Sequence, residues 1–296
     1  RFMTAIKGIY AASLSVLNDK LELDITMTIN HAENLIDLGC HGVVFFGSTG
    51  QSQLISLGEK IKLINRLSES KYKNNFIIGT GLNSLGDTIN LIKISKSTGF
   101  DTFLIMPPAY YKYDDDDVIN FYSKIIDAET KCKIILYNFE KLSGYKFSKE
   151  CVEKLVDLFP NQIIGVKDST YNLFETLRIK NFSVLPGSES KLLKGLELGC
   201  SGIITATTNV TASIARKVYD NYINKKPQHL NTKLCDVRNA FEKYNLISGI
   251  HTFLSTKDKV YENLIPPLHL LNGDEKKDLL LTLDKLEFSI KNLRAA

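Results

Sequence analysis

The sequence predicts an α/β fold: a (β/α)8 TIM barrel with a C-terminal helical extension. Three observations support this prediction. Eight short runs rich in Val, Ile and Phe alternate with amphipathic stretches of helical length. The runs are almost entirely apolar, as in parallel strands buried on both faces. The strand-like runs stop near residue 225, so we expect a catalytic barrel over 3–225 and a three-helix extension over 226–296.

The predicted strands follow one another at regular intervals along the chain. In order, they are Ile6–Ala11, Gly42–Phe46, Phe76–Thr80, Thr102–Met106, Lys133–Tyr137, Ile163–Lys167, Phe182–Leu185 and Gly202–Thr205. We expect a helix after each of them. A doubly wound sheet is the alternative fold, but it rarely contains eight such repeats.

Local signals predict where the helices begin and end. Ser and Asp residues stand at candidate N-caps, where a side chain can accept from an orphan amide of the first turn. These N-caps are Asp24, Ser56, Ser84, Asp114 and Ser148. Glycines after apolar stripes mark helix ends, at Gly39, Gly99 and Gly199. The extension is predicted to form helices over Leu230–Leu246, Gly249–Leu264 and Asp274–Leu293.

Composition excludes several classes of protein. The chain has 296 residues, of which 44% are hydrophobic and 24% charged, the balance of a globular domain. The net charge is only +4 and arginine is scarce, so we expect no nucleic-acid binding. No apolar run approaches the roughly 20 residues of a membrane helix. Five scattered cysteines form no C-x-x-C pair, so we expect a cytoplasmic protein without disulfides or metal. We also expect no cofactor.

The carboxyl ends of barrel strands are where catalytic groups are expected. Lys167 ends an otherwise apolar strand, where burial of an ammonium is costly. Such a lysine either extends into water or becomes a neutral nucleophile, which can condense with a ketone to form a Schiff base. The protonated imine then stabilises a carbanion on the adjacent carbon. A solvated lysine at a strand end is the simpler interpretation.

Neighbouring strand ends favour the nucleophile. Tyr137 ends the preceding strand and is a candidate general acid/base, provided that a neighbour relays its proton. Ser48 or Thr49 offers a hydroxyl relay, and Tyr110 offers a second phenol. The loop Gly47–Gly50 opens toward a helix, so its amides are candidates to bind a carboxylate. Each feature alone is weak, since such loops are often simple turns and such tyrosines often pack in cores.

The combination resembles the dihydrodipicolinate synthase/N-acetylneuraminate lyase superfamily of class I, pyruvate-handling aldolases. The resemblance covers essentially the whole chain from Ile6. Its motifs are Gly47–Gly50, Leu136–Asn138, Gly165–Asp168 and Gly202–Thr205, and their order and spacing together are specific.

The resemblance implies a role for each matched residue. Lys167 would form the imine with pyruvate, and Tyr137 would be the general acid/base. Ser48 and Tyr110 would complete a proton relay, with Tyr110 reaching across a dimer interface of a homotetramer, a dimer of dimers. The pyruvyl end would be held by Ser48, Thr49, Gly50 and the backbone of Ile203.

Departures from the family pattern bear on the aldehyde. Dihydrodipicolinate synthases carry an arginine shortly after the Tyr-Asn motif to hold a second carboxylate, and Leu142 stands there. Gln51 replaces the usual glutamate. Leu57, Lys60 and Ala109 do not match the family's lysine-feedback site, so we expect no inhibition by lysine.

The sequence therefore predicts a Schiff-base lyase that joins or cleaves pyruvate and a small aldehyde. A 2-keto-3-deoxy sugar acid is the first candidate substrate, as in sugar acid aldolases or N-acetylneuraminate lyase. Ser169 and Glu189 are then candidates to bond sugar hydroxyls; the alternatives are a helix cap for Ser169 and a solvated loop position for Glu189. The runner-up activity is 4-hydroxy-tetrahydrodipicolinate (dihydrodipicolinate) synthesis from pyruvate and aspartate semialdehyde. A barrel that binds keto acids without turnover is the third hypothesis.

Overall fold

A computed structural model describes residues 6–290 of the chain. In this part of the chain, eight parallel strands form one sheet in the order β7-β6-β5-β4-β3-β2-β1-β8. The strands are β1 Gly8–Ala12, β2 Gly42–Phe45, β3 Phe76–Gly79, β4 Thr102–Ile105, β5 Lys133–Asn138, β6 Ile163–Asp168, β7 Ser183–Pro186 and β8 Gly202–Thr205. A hydrogen bond of 3.0 Å from the Ser201 amide to the Val184 carbonyl links the two edges. The predicted TIM barrel is confirmed, and each predicted strand end lies within two residues of the observed one.

The helices surround the strands and continue into the C-terminal extension. They are α1 Ile25–Asp37, α2 Leu57–Leu67, α3 Leu85–Thr98, α4 Asp115–Ala128, α5 Glu140–Ser143, α6 Lys149–Leu158, α7 Leu192–Glu197, α8 Thr208–Ile223, α9 Asn231–Glu242, α10 Leu246–Ser255 and α11 Gly273–Lys285. Within residues 6–290, none of them combines the length and apolarity that a bilayer crossing requires.

The predicted caps are present. The five predicted N-cap side chains each accept from an amide in the first turn of α1, α2, α3, α4 or α6. Gly99 ends α3 with a φ of 106°, a left-handed conformation in which a side chain would be strained. These local interactions set the helix ends and therefore the lengths of the loops that carry the site.

One predicted helix is missing. Residues 169–182, between β6 and β7, form turns instead of the helix expected after every strand. The carboxylate of Asp168 accepts from the amides of Tyr171, Leu173 and Phe174 at 2.9 Å each. Because one side chain satisfies three backbone donors, this loop needs no helical hydrogen bonds to be stable. Leu173, Phe174 and Leu177 are buried and anchor it.

Up to residue 290, the extension contains three α-helices, but their boundaries differ from the prediction. The predicted first helix, Leu230–Leu246, ends earlier as α9, because Asn245 caps a new helix by accepting from the Ser248 amide. The predicted third helix, Asp274–Leu293, ends at Lys285. Its last residues, and residues 3–5 of the predicted barrel, lie outside the described part of the chain.

The extension packs on the barrel through a shared hydrophobic core. Phe241, Ile250 and Phe253 of the extension are in one buried cluster with Leu14, which follows β1, and Val210 of α8. Each such side chain contributes about 1.5–3 kcal/mol by burial. The extension therefore lies over the end of β1 and beside the carboxyl ends of the strands.

Candidate active site

A cavity of about 490 Å³ opens at the carboxyl ends of the strands. Its inner wall is built from the strand ends and the loops after them, including Ser48, Tyr137 and Lys167. Its outer wall includes Leu142 from α5 and residues of the extension, such as Arg238. The predicted position of the site is therefore where the barrel places its cavity.

Lys167 lies in the interior of the barrel. Its side chain is only 3% exposed, and the barrel core beside it contains Ile135, Leu185 and Ile204. The Nζ atom donates to the Tyr137 hydroxyl at 3.3 Å and lies 4.4 Å from the centre of that ring. Among the described residues that line the cavity there is no carboxylate. The amine therefore has an aromatic face and a hydroxyl as neighbours instead of a counter-ion.

Tyr137 and Ser48 extend a chain of polar atoms from this amine. The Tyr137 hydroxyl lies 3.3 Å from Nζ of Lys167 and 3.3 Å from Oγ of Ser48. Tyr137 is 4% exposed, because the end of β5 holds it over the barrel core. Three groups predicted from separate strand ends thus lie in hydrogen-bonding contact, which is the arrangement that proton relay requires.

The loop after β2 contains two 3-10 turns, and the first spans Ser48–Gly50. The Gly50 amide donates to the Gly47 carbonyl at 3.0 Å, so it is not available for the predicted contact with a carboxylate. The amides of Ser48 and Thr49 are at the open N-terminal end of the turn, where a helix has no partner for its first donors. Thr49 lines the cavity.

A second pair of strand-end residues supports the site. The Asn138 amide donates to Asp168 at 2.9 Å and to Asn172 at 2.7 Å, and its oxygen accepts from the Phe147 amide at 3.0 Å. Both Asn138 and Asp168 are completely buried. Because Asn138 directly follows Tyr137 and Asp168 directly follows Lys167, this pair fixes the two strand ends that carry the candidate reactive groups. A polar pair at adjacent strand ends was visible in the sequence, although its structural role was not.

Two predicted residues lie at the edges of the site. Tyr110 is 90% exposed, has a φ of 86° and stacks edge-to-face on Tyr111, outside the cavity lining. Ser169 lines the cavity, and it caps no helix because none follows β6. The side chain of Ile203 packs in the core between strands and helices, and Ile203 does not line the cavity.

Glu189 is placed differently from the prediction. It is fully buried and does not line the cavity, so both the direct sugar contact and the solvated loop position are wrong for its side chain. Its carboxylate accepts from the hydroxyls of Thr205, Thr207 and Thr211, with distances of 2.6 Å and 2.8 Å to the first and last. It also accepts from Arg238 at 3.3 Å.

Arg238 is the cavity residue that sequence reasoning missed. It is buried, lines the cavity and donates through Nη1 to the hydroxyls of Thr205 and Thr207 at 2.8 Å and 3.1 Å. A usable signal was present: Leu234, Arg238 and Phe241 share one face of α9, so the arginine stands on the buried stripe of an amphipathic helix.

No group of three or more His, Cys, Asp or Glu side chains is arranged to hold a metal ion in residues 6–290. The polar atoms of the cavity are instead amine, phenol, hydroxyl, amide and guanidinium groups. This set can act as nucleophile, proton donor and hydrogen-bond partner, which are the functions that carbonyl chemistry through an imine requires.

Comparison with known proteins agrees with this geometry. The model of the dihydrodipicolinate synthetase family matches residues 5–286. A 4-hydroxy-tetrahydrodipicolinate synthase of Karelsulcia muelleri is 28% identical over 266 residues, which are 86% of this chain and 89% of the relative. A 2-dehydro-3-deoxy-D-gluconate/2-dehydro-3-deoxy-phosphogluconate aldolase of Picrophilus torridus is 27% identical over 231 residues, which are 75% of this chain and 85% of the relative.

The fold also matches that of solved structures. The prophage protein YagE of E. coli K12, solved in complex with pyruvate and belonging to the dihydrodipicolinic acid synthase family, superposes with a TM-score of 0.85 at 21% identity. The match covers 97% of this chain and 100% of YagE. With the family model spanning nearly the whole chain, the protein belongs to the dihydrodipicolinate synthetase family and is a lyase of that family.

Proposed function

We propose that the protein is a class I aldolase that forms an imine between Lys167 and pyruvate. The observation that supports this most strongly is the contact of three groups in one cavity: Nζ of Lys167, the Tyr137 hydroxyl and Oγ of Ser48, each 3.3 Å from the next. A lysine that serves only structure or solubility has no need of a buried phenol and a second hydroxyl beside it. The same three groups disfavour a barrel that binds keto acids without turnover.

The residues present account for each step of the reaction. Nζ of Lys167 attacks the keto carbon of pyruvate, and the keto oxygen leaves as water. The resulting iminium accepts an electron pair when its methyl carbon loses a proton, giving an enamine. The enamine carbon attacks the aldehyde carbon, and the aldehyde oxygen takes a proton. Hydrolysis then restores the amine, and cleavage is the reverse sequence. The imine is itself the electron sink, so the reaction needs no cofactor.

Tyr137 and Ser48 move the protons. The Tyr137 hydroxyl touches both Nζ and Oγ of Ser48, so it can deliver a proton to the departing oxygen and recover one through the serine. Ser48 and Thr49, at the open end of the turn after β2, hold the pyruvate carboxylate through their amides and hydroxyls. The keto acid is thereby oriented with its methyl carbon toward the outer cavity.

The residues of the cavity constrain the identity of the aldehyde less than that of the keto acid. We propose a 2-keto-3-deoxy sugar acid as the product or substrate, because neutral polar groups at Asn83, Ser169 and Asn245 line the cavity where sugar hydroxyls would lie. Leu142 stands where a synthase would place an arginine for aspartate semialdehyde, which disfavours the runner-up. Both a synthase and a sugar acid aldolase occur among the relatives.

We propose a homotetramer built as a dimer of dimers, in which Tyr110 reaches the site of the partner subunit. The exposed Tyr110 and Tyr111 side chains support this arrangement, because two large aromatic rings in water are otherwise unfavourable. Sedimentation of the native protein tests the assembly, and a monomer at assay concentration would remove Tyr110 from the mechanism.

Borohydride trapping tests the imine directly. Pyruvate is added with borohydride, and the modified peptide is identified by mass spectrometry. We expect an adduct on Lys167 and none after Lys167→Arg. Lys60→Met is the matched control, because Lys60 is also a fully buried lysine, located outside the cavity. Folded protein without an adduct would overturn the mechanism.

Aldehyde turnover then separates the two candidate activities. Glyceraldehyde and aspartate semialdehyde are each offered with pyruvate, and product is followed by chromatography. We expect efficient turnover of the hydroxyaldehyde. Faster turnover of aspartate semialdehyde would identify a synthase instead.

A further inference from the structure

The outer half of the cavity has walls of aliphatic side chains. Six leucine and isoleucine residues line it: Leu54, Leu82, Leu142, Leu246, Ile247 and Leu268. A carboxylate or phosphate that enters this region loses water and gains no hydrogen bond from such walls. A positively charged side chain of the cavity would compensate for that loss most strongly, because hydrogen bonds between charged groups are the strongest.

Two cations line the cavity among the described residues, Lys167 and Arg238. Lys167 is not available to pair with a second anion, because in the proposed reaction it forms the iminium, whose charge is balanced by the pyruvate carboxylate beside it. Among these residues, Arg238 is therefore the cation that remains to pair with an anionic group on the aldehyde half.

The positive charge of Arg238 is already paired with two carboxylates. Its Nη1 lies 3.3 Å from Oε1 of Glu189, which is completely buried, and its Nε lies 3.4 Å from Oε2 of Glu242, which is half exposed. Counted with its two carboxylates, the cluster carries one positive and two negative formal charges. The two carboxylates therefore offset part of the attraction of the guanidinium for a further anion.

We propose that this compensation makes the site selective for an aldehyde half that carries no charge, and that Glu242 is the specificity-determining residue. The inference rests on the proposed imine chemistry and deepens it. It assigns the outer cavity to neutral hydroxylated or aliphatic tails and excludes carboxylated and phosphorylated ones. Glu242 acts through Arg238, since it does not itself line the cavity.

The two carboxylates around Arg238 differ in how replaceable they are. Glu189 accepts from three threonine hydroxyls within the barrel, so its removal would leave buried donors without partners. Glu242 is half exposed on the last turn of α9 and contacts Arg238 across one turn of the helix. Glu242→Gln therefore removes one negative charge, keeps the shape of the side chain and leaves the core intact.

Imine trapping with matched keto acids tests the proposal without requiring aldol turnover. Pyruvate, 2-oxohexanoate and 2-oxoglutarate are each incubated at one subsaturating concentration with borohydride, and the adduct on Lys167 is quantified. The tail of 2-oxohexanoate is uncharged and that of 2-oxoglutarate ends in a carboxylate. We expect at least about tenfold more adduct from 2-oxohexanoate, a difference of about 1.4 kcal/mol.

Glu242→Gln should shift this preference. We expect the yield with 2-oxoglutarate to rise at least about threefold relative to 2-oxohexanoate, because Arg238 gains the capacity to pair with the tail. Pyruvate should react as before. Glu175→Gln is the matched control, since Glu175 is an exposed carboxylate paired with Lys194 at 2.8 Å outside the cavity. Circular dichroism of both variants verifies the fold.

The outcomes distinguish this inference from the proposed function. Absence of any adduct with pyruvate overturns both. A pyruvate adduct with equal or greater trapping of 2-oxoglutarate overturns the selectivity alone, as does failure of both longer acids to react. A correct preference that Glu242→Gln leaves unchanged overturns the assignment to Arg238 and Glu242.

Discussion

The inner and outer halves of the cavity are built by different parts of the chain. The inner half comes from consecutive strand ends of the barrel, where Lys167, Tyr137 and Ser48 are in contact. The outer half combines α5 and the barrel loops after β2 and β3 with the extension, which supplies Arg238 and several aliphatic side chains. The inner groups are held by the barrel hydrogen-bond ladder and by Asn138 and Asp168.

This difference separates reaction type from substrate choice. The strand ends of a barrel are rigid, so groups placed there keep the geometry of bond-making steps. The extension and α5 change the shape and charge of the entrance without disturbing those groups. Variants of the inner half should therefore alter every reaction of the enzyme, and variants of the outer half should alter only its preference among aldehydes.

Lys167→Arg should have the largest effect. Arginine keeps the positive charge but does not form an imine, so we expect turnover to fall about 10⁴-fold or more with every aldehyde. Steady-state assays at a high concentration of the variant enzyme measure the residual rate. Lys60→Met should stay within a few fold of the native enzyme, and appreciable turnover by Lys167→Arg would show that another group is the nucleophile.

Tyr137→Phe should separate imine formation from proton transfer. The ring still packs against Lys167, but the hydroxyl between Nζ and Oγ of Ser48 is lost. We expect borohydride still to trap a pyruvate adduct while turnover falls about 10²- to 10³-fold. Tyr72→Phe is a control, because Tyr72 bonds Asp37 away from the cavity. Unchanged turnover would exclude Tyr137 as the general acid/base.

Acid should lower the free energy of unfolding through two histidines that are buried near the junction of the barrel and the extension. Nδ1 of His31 contacts the Tyr261 hydroxyl at 2.6 Å and Nε2 contacts Oδ1 of Asn209 at 2.8 Å, while Nδ1 of His251 contacts the Tyr261 carbonyl at 2.9 Å. Burial lowers the pKa of both His31 and His251 to about 4, because it disfavours the charged ring. Their neutral forms are therefore part of the folded state.

The direction of the pH dependence follows from that shift. The unfolded chain takes up protons near pH 6.5 and the folded chain does so only near pH 4. The stabilisation is present above pH 6.5 and is lost as the pH falls toward 4. We expect a loss of about 1–2 kcal/mol for each histidine between pH 7 and pH 5. Urea unfolding at a series of pH values measures it.

Matched substitutions assign the acid effect. His31→Gln should remove about half of the pH dependence, while His229→Gln should leave it unchanged because His229 is exposed. If the free energy of unfolding of His31→Gln still fell by the full amount on acidification, other groups would be responsible for the pH dependence.

The strand pattern and the positions of Lys167 and Tyr137 were predictable, and the outer wall of the cavity was not. Apolar runs ending in Lys167 and Tyr137 specify both the barrel and the position of its chemistry, because strand ends in a barrel necessarily meet. The turns after β6 were not predicted, because the carboxylate of the single residue Asp168 accepts the backbone amides that would otherwise bond within a helix. Glu189 and Arg238 meet only after the extension folds back, across 49 residues of chain.

Leu142→Arg should give the smallest effect and the sharpest distinction between the halves. Leu142 lines the outer cavity and is partly exposed, so an arginine there can extend its fork to a carboxylate on the aldehyde. We expect kcat/KM for aspartate semialdehyde to rise about tenfold, or about 1.4 kcal/mol, while pyruvate trapping on Lys167 is unchanged. Leu158→Arg is the matched control, because Leu158 is an exposed leucine at the end of α6, outside the cavity. An equal gain in both variants would trace the effect to overall charge, and no gain in either would show that the carboxylate lies beyond the reach of α5.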